Sequence, residues 1–415
     1  MAFEYRDGVL CAEQVSLEDI ARRFGTPCYV YSRAAIERAY REYADELAGR
    51  PSLVCYSVKA NSNLAVLSVM AKLGAGFDIV SGGELARVLA AGGDPAKVVF
   101  SGIGKSAEEI GAALQAGVLS INLESEQELA RVSAIAAGMG KRAPVAFRVN
   151  PDVDAKTHPY ISTGLKNSKF GIAYAEAERL HREAARLPGI RLTGVGFHIG
   201  SLMNDSAPFV AATQRIVALL ERLERAGIAL AHIDLGGGMG IRYKDEAQAP
   251  IAAFVHGALD ALGSRKEKIL IDPGRSVVGN AGVLLTKVEY VKPGEAKNFV
   301  VVDAAMNDLI RPALYDAWHE VRTVRETESG AATGVYDIVG PVCESADFLA
   351  RDRKLSACPG GLLAVMAAGA YGMVMSSNYN SRPRAAEVMV SGANASLVRE
   401  RETVEQLFSS ERVLP

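Results

Sequence analysis

Strand-like and helix-like segments alternate through the first two thirds of this chain, and this alternation restricts the possible folds more than any other feature. Between the strand-like segments, apolar residues recur at helical spacing, as in SNLAVLSVMAKLGA and SEQELARVSAIAAGMG. Several helix-like segments begin with Ser and end near Gly, as helices prefer. The apolar, β-rich segments lie at 52–58, 76–80, 97–101, 119–123, 144–149, 192–197, 230–234 and 268–272.

The alternation predicts parallel strands, because a parallel pair needs a crossover connection and that connection is usually a helix. Eight strand and helix units over roughly 225 residues match a closed barrel of typical size. An open, doubly wound sheet is the alternative. We therefore predict an α/β fold with a (β/α)8 TIM-type barrel at residues 33–276.

The pattern changes after residue 276. The runs AGVLLTKVEYVKPGEAKNFVVVDAAMN, GVYDIVGPVCESADFLARD and GGLLAVMAAGAYGMVMSSNY are strand-like and are separated by Gly, Pro and charged turns. The N-terminal residues also look like strands and turns around one short helix, SLEDIARRFG. We predict a second, mainly β domain, a sandwich or barrel, formed by residues 1–32 and 277–415.

Composition excludes several classes of protein. Of the 415 residues, 23% are charged, and the net charge of −2 comes from mixed signs, which disfavours nucleic acid or an anionic membrane as a partner. No apolar run approaches the ~18 residues of a membrane span. The first residues lack a signal-peptide pattern, so we expect a cytoplasmic protein. The five cysteines and six histidines show no disulfide or metal-ligand spacing.

Polar or glycine-rich groups lie at the ends of six predicted strands. In a (β/α)8 barrel the C-terminal ends of all strands face one mouth, where active groups gather. These groups therefore converge if the strand assignment is right. They are Lys59 after the first strand, Asp78 in the second, Arg148 in the fifth, His198 after the sixth, the run 236–240 after the seventh and the segment 272–275 at the eighth.

The run GGGMG at 236–240 predicts a phosphate site. Barrels commonly bind phosphate in the loops after strands seven and eight, where bare backbone N–H groups can approach the oxygens. A dinucleotide-binding G-x-G-x-x-G pattern fails here, because it needs Gly at position 241, which is Ile.

A strand-end lysine together with a phosphate site points to pyridoxal 5'-phosphate, whose aldehyde a lysine holds as a Schiff base. The cofactor ring also needs a planar group against one face, which His198 can supply. Its pyridine nitrogen needs a carboxylate, which Asp272 or Asp78 can supply. The donors for its phosphate would be Gly237, Gly238 and Ser201.

Eight longer motifs carry a family resemblance that covers nearly the whole chain. They are YSVKAN, FDIVSGGE, HIGS, DLGGGMGI, DPGRS, NDLIRPALYDAWH, GPVCESAD and GAYGMVMSSNYNSRPR. Their order and separations resemble those of the diaminopimelate decarboxylases, which are pyridoxal phosphate enzymes of the alanine racemase-like, fold-type III group.

The resemblance implies a barrel with a C-terminal β domain and a homodimer whose active sites are shared between subunits. It also implies the last step of lysine biosynthesis, in which meso-2,6-diaminopimelate becomes L-lysine and CO2. Two alternatives stay open. One is a pyridoxal phosphate-dependent decarboxylase of another basic amino acid, ornithine or arginine, and the other is a non-catalytic paralogue that binds the cofactor.

The resemblance also implies roles for individual residues. Lys59 would be the Schiff-base lysine, and His198 would stack on the ring. The remaining cofactor-binding positions would be Asp78, Arg148, Ser201, Gly237, Gly238, Asp272, Gly274, Arg275 and Tyr371. The substrate-binding positions would be Arg275, Arg311, Tyr315, Glu344 and Tyr371, with Cys343 and Glu344 coming from the partner subunit.

Two of these roles have a physical rationale. Cys343 is similar to the family's proposed proton donor; Lys59 is the other candidate, and a buried structural cysteine is the other interpretation. Arg311 and Tyr315 are four residues apart, one turn if the segment is helical, so both can face one carboxylate. A surface arginine before a proline is the alternative for Arg311.

The chain departs from the family pattern at two places. Asp272 stands where the family usually has glutamate before Pro-Gly-Arg, so its carboxylate is one methylene shorter. This difference weakens the prediction that it contacts the ring nitrogen directly. Leu202 and Met203 follow HIGS, where a polar residue commonly stands, and could change the rim of the pocket.

Overall fold

The computed structural model describes residues 2–154, 169–326 and 332–415. Its strands, numbered along the chain, are β1 (Phe3–Arg6), β2 (Val9–Ala12), β3 (Val15–Ser16), β4 (Cys28–Ser32), β5 (Ser52–Ser57), β6 (Gly76–Ile79), β7 (Val98–Phe100), β8 (Ser120–Leu123), β9 (Ala143–Asn150), β10 (Ile172–Ala173), β11 (Ile190–Gly196), β12 (His232–Asp234), β13 (Lys268–Ile271), β14 (Gly282–Lys292), β15 (Asn298–Val302), β16 (Val321–Thr323), β17 (Ala332–Val339), β18 (Phe348–Ala357), β19 (Leu362–Val365), β20 (Ala386–Ser391) and β21 (Asn394–Arg399).

The helices are α1 (Leu17–Phe24), α2 (Arg33–Glu46), α3 (Leu64–Lys72), α4 (Gly82–Ala90), α5 (Ala107–Ala116), α6 (Glu126–Gly138), α7 (Ala177–Ala184), α8 (Ala207–Arg225), α9 (Ile251–Leu262), α10 (Arg275–Val278), α11 (Arg311–Tyr315) and α12 (Val404–Phe408). No helix in the described ranges is long and apolar enough to span a membrane.

Eight parallel strands form a closed barrel. The order is β5, β6, β7, β8, β9, β11, β12 and β13, and β13 pairs with β5 through Ile269 and Ser52 to close the ring. Each of the eight predicted strand segments corresponds to one of these strands. The closed barrel is confirmed, and the open-sheet alternative is wrong. The short strand β10 adds to β9 outside this ring.

Local sequence signals determine where the barrel helices begin. The side chains of Ser81, Ser106 and Ser125 each accept a backbone N–H three residues further on, at the start of α4, α5 and α6. Such N-caps stabilise a helix by about 1 kcal/mol each. Because Ser81 follows β6 after one residue, the cap keeps the loop at the mouth of the barrel short.

The chain divides into two compact units. The barrel unit comprises Ala39–Ile241 and Ala247–Ser276, and the β-rich unit comprises Met1–Arg38, Arg242–Glu246 and Val277–Pro415. In the β-rich unit, β4 pairs antiparallel with β14 and parallel with β20, which places an N-terminal strand inside the main β sheet. The expectation that the N-terminal segment joins the second domain is confirmed.

The core of the β-rich unit explains this arrangement. Leu10, Val30, Val283 and Val388 come from four strands that are distant in sequence, and all four side chains are fully buried in one cluster. Burying each such side chain contributes roughly 1.5–3 kcal/mol relative to leaving it exposed. Short apolar strands that would be unstable alone are therefore held by one shared core.

One predicted strand-like run is mostly not a strand. Only Leu362–Val365 of GGLLAVMAAGAYGMVMSSNY forms one, β19. Ala367 and Tyr371 then adopt positive φ values of 53° and 55°, which a strand cannot contain. The apolar character of this run reflects buried loop residues instead, such as Ala368 and Ala370.

Candidate active site

Lys59 lies in a short helical turn, Val58–Ala60, directly after β5. Its Nζ is 3.1 Å from Oδ2 of Asp78, and the Ser57 hydroxyl donates to the same oxygen at 3.1 Å. The Asp78 side chain is 1% exposed, whereas that of Lys59 is 36% exposed. Lys59 is therefore anchored by a buried carboxylate, and its side chain remains partly exposed.

His198 follows β11 and faces the loops after the seventh and eighth barrel strands. Its Nδ1 accepts the backbone N–H of Gly237 at 3.3 Å and is 3.7 Å from Oδ1 of Asp272. Because an amide N–H can only donate, Nδ1 presents a lone pair. Burial lowers the pKa of His198 well below its usual value, and the charges of Arg148 and Lys59 act in the same direction. The ring is therefore uncharged.

The barrel contains two buried carboxyl oxygens that have no hydrogen-bond partner among the described residues, Oδ1 of Asp78 and Oδ1 of Asp272. Burial raises the pKa of Asp272 well above its usual value, and the charges of Asp78 and Asp234 add to this effect. Leaving such a buried group unsatisfied costs about 1–3 kcal/mol. A bound molecule that offers a donor at either oxygen would recover that energy.

The glycine run passes close to neighbouring backbone. A Cβ at Gly238, where φ is +95°, would collide with the Gly200 carbonyl oxygen, and one at Gly237 would lie 2.5 Å from Oδ1 of Asp272. Only glycine fits this geometry. The N–H groups of Gly236, Gly237 and Gly240 already donate to Asp234, His198 and Met203. The N–H of Gly238 is therefore a better candidate donor for a phosphate than that of Gly237, which the sequence also suggested.

Met203, one of the two departures after HIGS, supports this loop. Its N–H donates to the Gly238 carbonyl at 2.9 Å, and its carbonyl accepts the N–H of Gly240 at 2.8 Å. The side chain of Met203 is buried. The substitution therefore places an apolar side chain in the packing around the glycine loop.

Two of the arginines predicted to be site residues, Arg148 and Arg275, lie in the barrel unit. Arg275 donates from Nη2 to the Ser201 hydroxyl at 3.1 Å. Arg148 donates to Glu124 Oε1 and to the His198 carbonyl, both at 3.3 Å, and its guanidinium lies 4.7 Å from the ring centre of Phe170. Both positions that the sequence predicts for cofactor contact are thus held by neighbouring groups.

Sequence reasoning missed several polar residues of the barrel interior. Ser57 ends β5, Asp234 ends β12 and Glu124 directly follows β8, so the strand-end criterion would have found all three. The Asn122 amide donates to Asp234 at 3.1 Å. Burial raises the pKa of Asp234 to about 6, with the charge of Asp78 contributing.

In the β-rich unit, Arg311 and Tyr315 begin and end the short helix α11, so the segment is helical, as their shared turn required. Arg311 is 3% exposed, so the surface-arginine alternative is wrong. Its Nη1 lies 2.9 Å from Nε2 of His319, and its guanidinium lies 4.8 Å from the ring centre of Tyr243. His319 ends the motif NDLIRPALYDAWH but was given no role in the sequence analysis, and no pattern had indicated Tyr243.

Cys343 carries an exposed thiol, so its interpretation as a buried structural cysteine is wrong. Its backbone N–H donates to Oδ1 of Asn380 at 2.8 Å. The carboxylate of Asp347 accepts N–H groups from Val342 and Met306, both at 2.7 Å, and so braces the same loop. The neighbouring Glu344 is also exposed, and Tyr371 is half-buried.

These features define a class of protein. The sequence model of the family described as "Pyridoxal-dependent decarboxylase, pyridoxal binding domain" matches residues 33–279. The matched range covers the barrel strands and both loops that surround His198 and Asp272.

Full-length relatives narrow the class. A diaminopimelate decarboxylase of Pseudomonas aeruginosa is 58% identical over 414 residues, which covers 100% of this chain and 99% of that relative. Two crystal structures of diaminopimelate decarboxylases in complex with L-lysine also match. The one from Helicobacter pylori has 42% identity and a TM-score of 0.92 over 95% of this chain and 99% of that chain. The one from M. jannaschii has 36% identity and a TM-score of 0.95 over 100% and 98%. This chain belongs to the diaminopimelate decarboxylase family.

Proposed function

We propose that this protein decarboxylates meso-2,6-diaminopimelate to L-lysine and CO2, the last step of lysine biosynthesis, with pyridoxal 5'-phosphate as its cofactor. The observation that carries the proposal is the anchored, partly exposed side chain of Lys59 in a barrel that also holds the unsatisfied buried carboxyl of Asp272. The 58% identity to a relative of that name supports the choice of substrate.

The barrel residues fit the proposed cofactor. Within the glycine loop, the N–H of Gly238 is the candidate donor to phosphate oxygens, with the Ser201 hydroxyl and Arg275 as further donors. The neutral His198 ring offers a planar face. The Oδ1 atoms of Asp272 and Asp78 are acceptors for a ring N–H or a hydroxyl.

When bound, pyridoxal phosphate supplies an aldehyde that a lysine amine can hold and a ring that takes up the electron pair left when the Cα–carboxylate bond breaks. Asp78 holds the Lys59 ammonium in place through the 3.1 Å contact. A carboxylate at Asp272 would favour the protonated, electron-withdrawing form of a pyridine ring. The Gly237 N–H fixes the orientation of His198 through Nδ1.

A proton must reach Cα after CO2 leaves. We assign this proton to Sγ of Cys343 or Nζ of Lys59, both of which are groups that can act as general acids. In this proposal Cys343 and Glu344 act from the partner subunit of a homodimer. The exposure of both residues in the single chain is compatible with that role. A cytoplasmic location is part of the same proposal.

Substrate selection rests on the second carboxylate of diaminopimelate, which ornithine and arginine lack. We assign this carboxylate to Arg275, Arg311 and Tyr315, with Tyr371 contacting both cofactor and substrate. A guanidinium binds a carboxylate through two parallel hydrogen bonds, which are stronger than neutral ones. The burial of Arg311 strengthens such a contact, because less water competes for it.

The decisive experiment measures CO2 release by the purified protein loaded with pyridoxal phosphate. Meso-diaminopimelate, ornithine, arginine and L-lysine are compared at equal concentrations. Turnover of diaminopimelate alone supports the proposal. Faster release from ornithine or arginine would establish the other decarboxylase class, and cofactor binding without any release would indicate the non-catalytic paralogue.

A further inference from the structure

The guanidinium of Arg311 is enclosed by two side chains to which no role has been assigned. Nε2 of His319 lies 2.9 Å from Nη1, and the Tyr243 ring centre lies 4.8 Å from Cζ. The rings of His319 and Tyr243 contact each other edge to face, at 5.3 Å and 82°. We call these three residues the Arg311 cluster. All three belong to the β-rich unit.

The hydrogen-bond pattern fixes the protonation of His319. Its Nδ1 lies 2.8 Å from the Met366 carbonyl oxygen, which can only accept, so Nδ1 carries a hydrogen. A guanidinium can only donate, so Nε2 presents a lone pair to Arg311. His319 is therefore the neutral Nδ1–H tautomer. The Met366 N–H also donates to the Glu320 carbonyl at 2.8 Å. Met366 is therefore bonded both to the His319 ring and to the backbone of the next residue, Glu320.

The backbone at Tyr243 is also held by hydrogen bonds. It lies in the segment Arg242–Glu246, which packs in the β-rich unit although barrel residues flank it in sequence. The N–H groups of Tyr243 and Lys244 both donate to Oε2 of Glu246, at 3.1 and 2.8 Å. This turn presents the aromatic face to Arg311, which is a favourable cation–π arrangement.

Both contacts orient Arg311, and neither one supplies a negative charge. His319 is neutral and the Tyr243 ring offers only its face, so they restrict a long side chain without forming an ion pair with it. A guanidinium that is already ordered loses less conformational freedom when it binds a planar anion. We propose that His319 and Tyr243 are positioning residues that orient Arg311 for the distal carboxylate of the substrate. The proposal rests on the proposed function of Arg311.

The first test separates substrate binding from turnover. His319→Leu removes the acceptor, and His319→Gln keeps an oxygen acceptor near the place of Nε2. Loss of a hydrogen bond to a charged group typically weakens binding by about tenfold. We expect His319→Leu to raise KM for meso-diaminopimelate about tenfold with kcat nearly unchanged, and His319→Gln to restore KM to within about threefold. Arg22→Ala, at an exposed position on α1 of the same unit, is the matched control and should leave KM unchanged.

The second test uses binding alone. L-lysine and 1,5-diaminopentane differ by one carboxylate, and their affinities for the protein loaded with cofactor are measured by calorimetry. We expect His319→Leu and Tyr243→Leu to weaken L-lysine about five- to tenfold and to leave 1,5-diaminopentane unchanged. Tyr243→Phe keeps the ring and should bind L-lysine as the original chain does. If His319→Leu does not fold, the comparison of Tyr243→Leu with Tyr243→Phe still tests the proposal.

Arg311→Ala distinguishes the positioning role of His319 and Tyr243 from the carboxylate-binding role of Arg311. If it weakens L-lysine binding and the His319 and Tyr243 variants do not, the positioning role is wrong and the assignment of Arg311 stands. If Arg311→Ala leaves L-lysine binding unchanged, the carboxylate assignment itself is wrong, and the positioning role fails with it. Equal weakening of both ligands in the cluster variants would show a general structural effect and would overturn the proposal.

Discussion

The two compact units hold their candidate functional groups in different ways. In the barrel, Lys59 and Asp78 lie at or beside the ends of adjacent strands, and the strand pairing itself sets their separation. In the β-rich unit, Arg311 lies on a helix of five residues and Cys343 on a loop. Side-chain contacts hold these two, Arg311 through His319 and Cys343 through Asn380.

The difference teaches where substitutions should be tolerated. A group on a buried strand end stays in place when a neighbouring side chain changes, because backbone hydrogen bonds fix it. A group on a loop depends on a few side-chain ties, and loops commonly carry function in this way. We therefore expect losses in the barrel to come from the functional residues themselves, whereas in the β-rich unit the supporting residues should also matter.

The largest effect should follow from Lys59→Ala. The change removes the only amine that the proposal assigns to the cofactor aldehyde, together with one candidate proton donor. We expect kcat for diaminopimelate to fall about 10,000-fold. Release of CO2 measures it, and the exposed Lys72→Ala, at the end of α3, is the matched control. A fall of less than tenfold would remove Lys59 from the chemistry.

The next largest effect is expected at Cys343, on a loop of the β-rich unit. Cys343→Ala should leave cofactor loading intact and lower kcat about 100-fold, because proton transfer from a positioned acid contributes that much. Loading is measured by the absorbance of the released cofactor and turnover by CO2. The same change at Cys358 should have no effect. Normal turnover of Cys343→Ala would leave Lys59 as the proton donor.

A smaller effect is expected at the substrate carboxylate. Arg311→Ala should raise KM for diaminopimelate about 30-fold, since losing a charged hydrogen-bond partner costs about 2 kcal/mol. The folded fraction, measured by circular dichroism, should stay unchanged. An unaltered KM would place recognition of the second carboxylate elsewhere.

The same contrast explains what the sequence could and could not predict. The barrel was predictable because strand and helix periods alternate along the chain, and strand ends such as Lys59 and Arg148 follow from counting. Arg311 on α11 and Cys343 on its loop were found only through motif resemblance. Tyr243 was missed because its contact joins distant parts of the chain and leaves no periodic pattern. His319 lies only eight residues from Arg311 in the same motif, but nothing in the sequence shows that its ring faces the guanidinium. The run after β19 was misjudged because buried loop residues are as apolar as strand residues.

The role of Asp272 as partner of the cofactor's ring nitrogen also stays a prediction. Its carboxyl lies 3.7 Å from His198 Nδ1, and one of its oxygens is unsatisfied among the described residues. Both facts suit an acceptor role, even though the side chain is one methylene shorter than glutamate. Asp272 directly follows β13, so its backbone position is fixed by the strand. The protonation of its carboxyl can be measured without substrate.

The smallest effect should appear in the stability of the cofactor-free protein. Burial raises the pKa of Asp272 when the chain folds, so the folded state binds this proton more tightly than the unfolded state. The free energy of unfolding should then fall as pH rises above the ordinary carboxyl pKa of about 4. Asp272→Asn cannot ionise and should lack this decrease. Between pH 4 and pH 7, we expect the free energy of unfolding of the variant to rise by about 1–2 kcal/mol relative to that of the original chain. One proton could contribute at most about 1.4 kcal/mol per pH unit, or roughly 4 kcal/mol over this range.

Urea denaturation across this pH range measures the difference. Asp260→Asn, at an exposed position on α9, is the matched control and should give a curve parallel to that of the original chain. Parallel curves for Asp272→Asn as well would mean that the carboxyl is already solvated or paired in the folded protein. The acceptor role of Asp272 would then lose its physical basis, and Asp78 would remain the candidate partner of the ring nitrogen. A growing difference would instead show that a strand end of the barrel holds this carboxyl in place at a cost that a bound cation can offset.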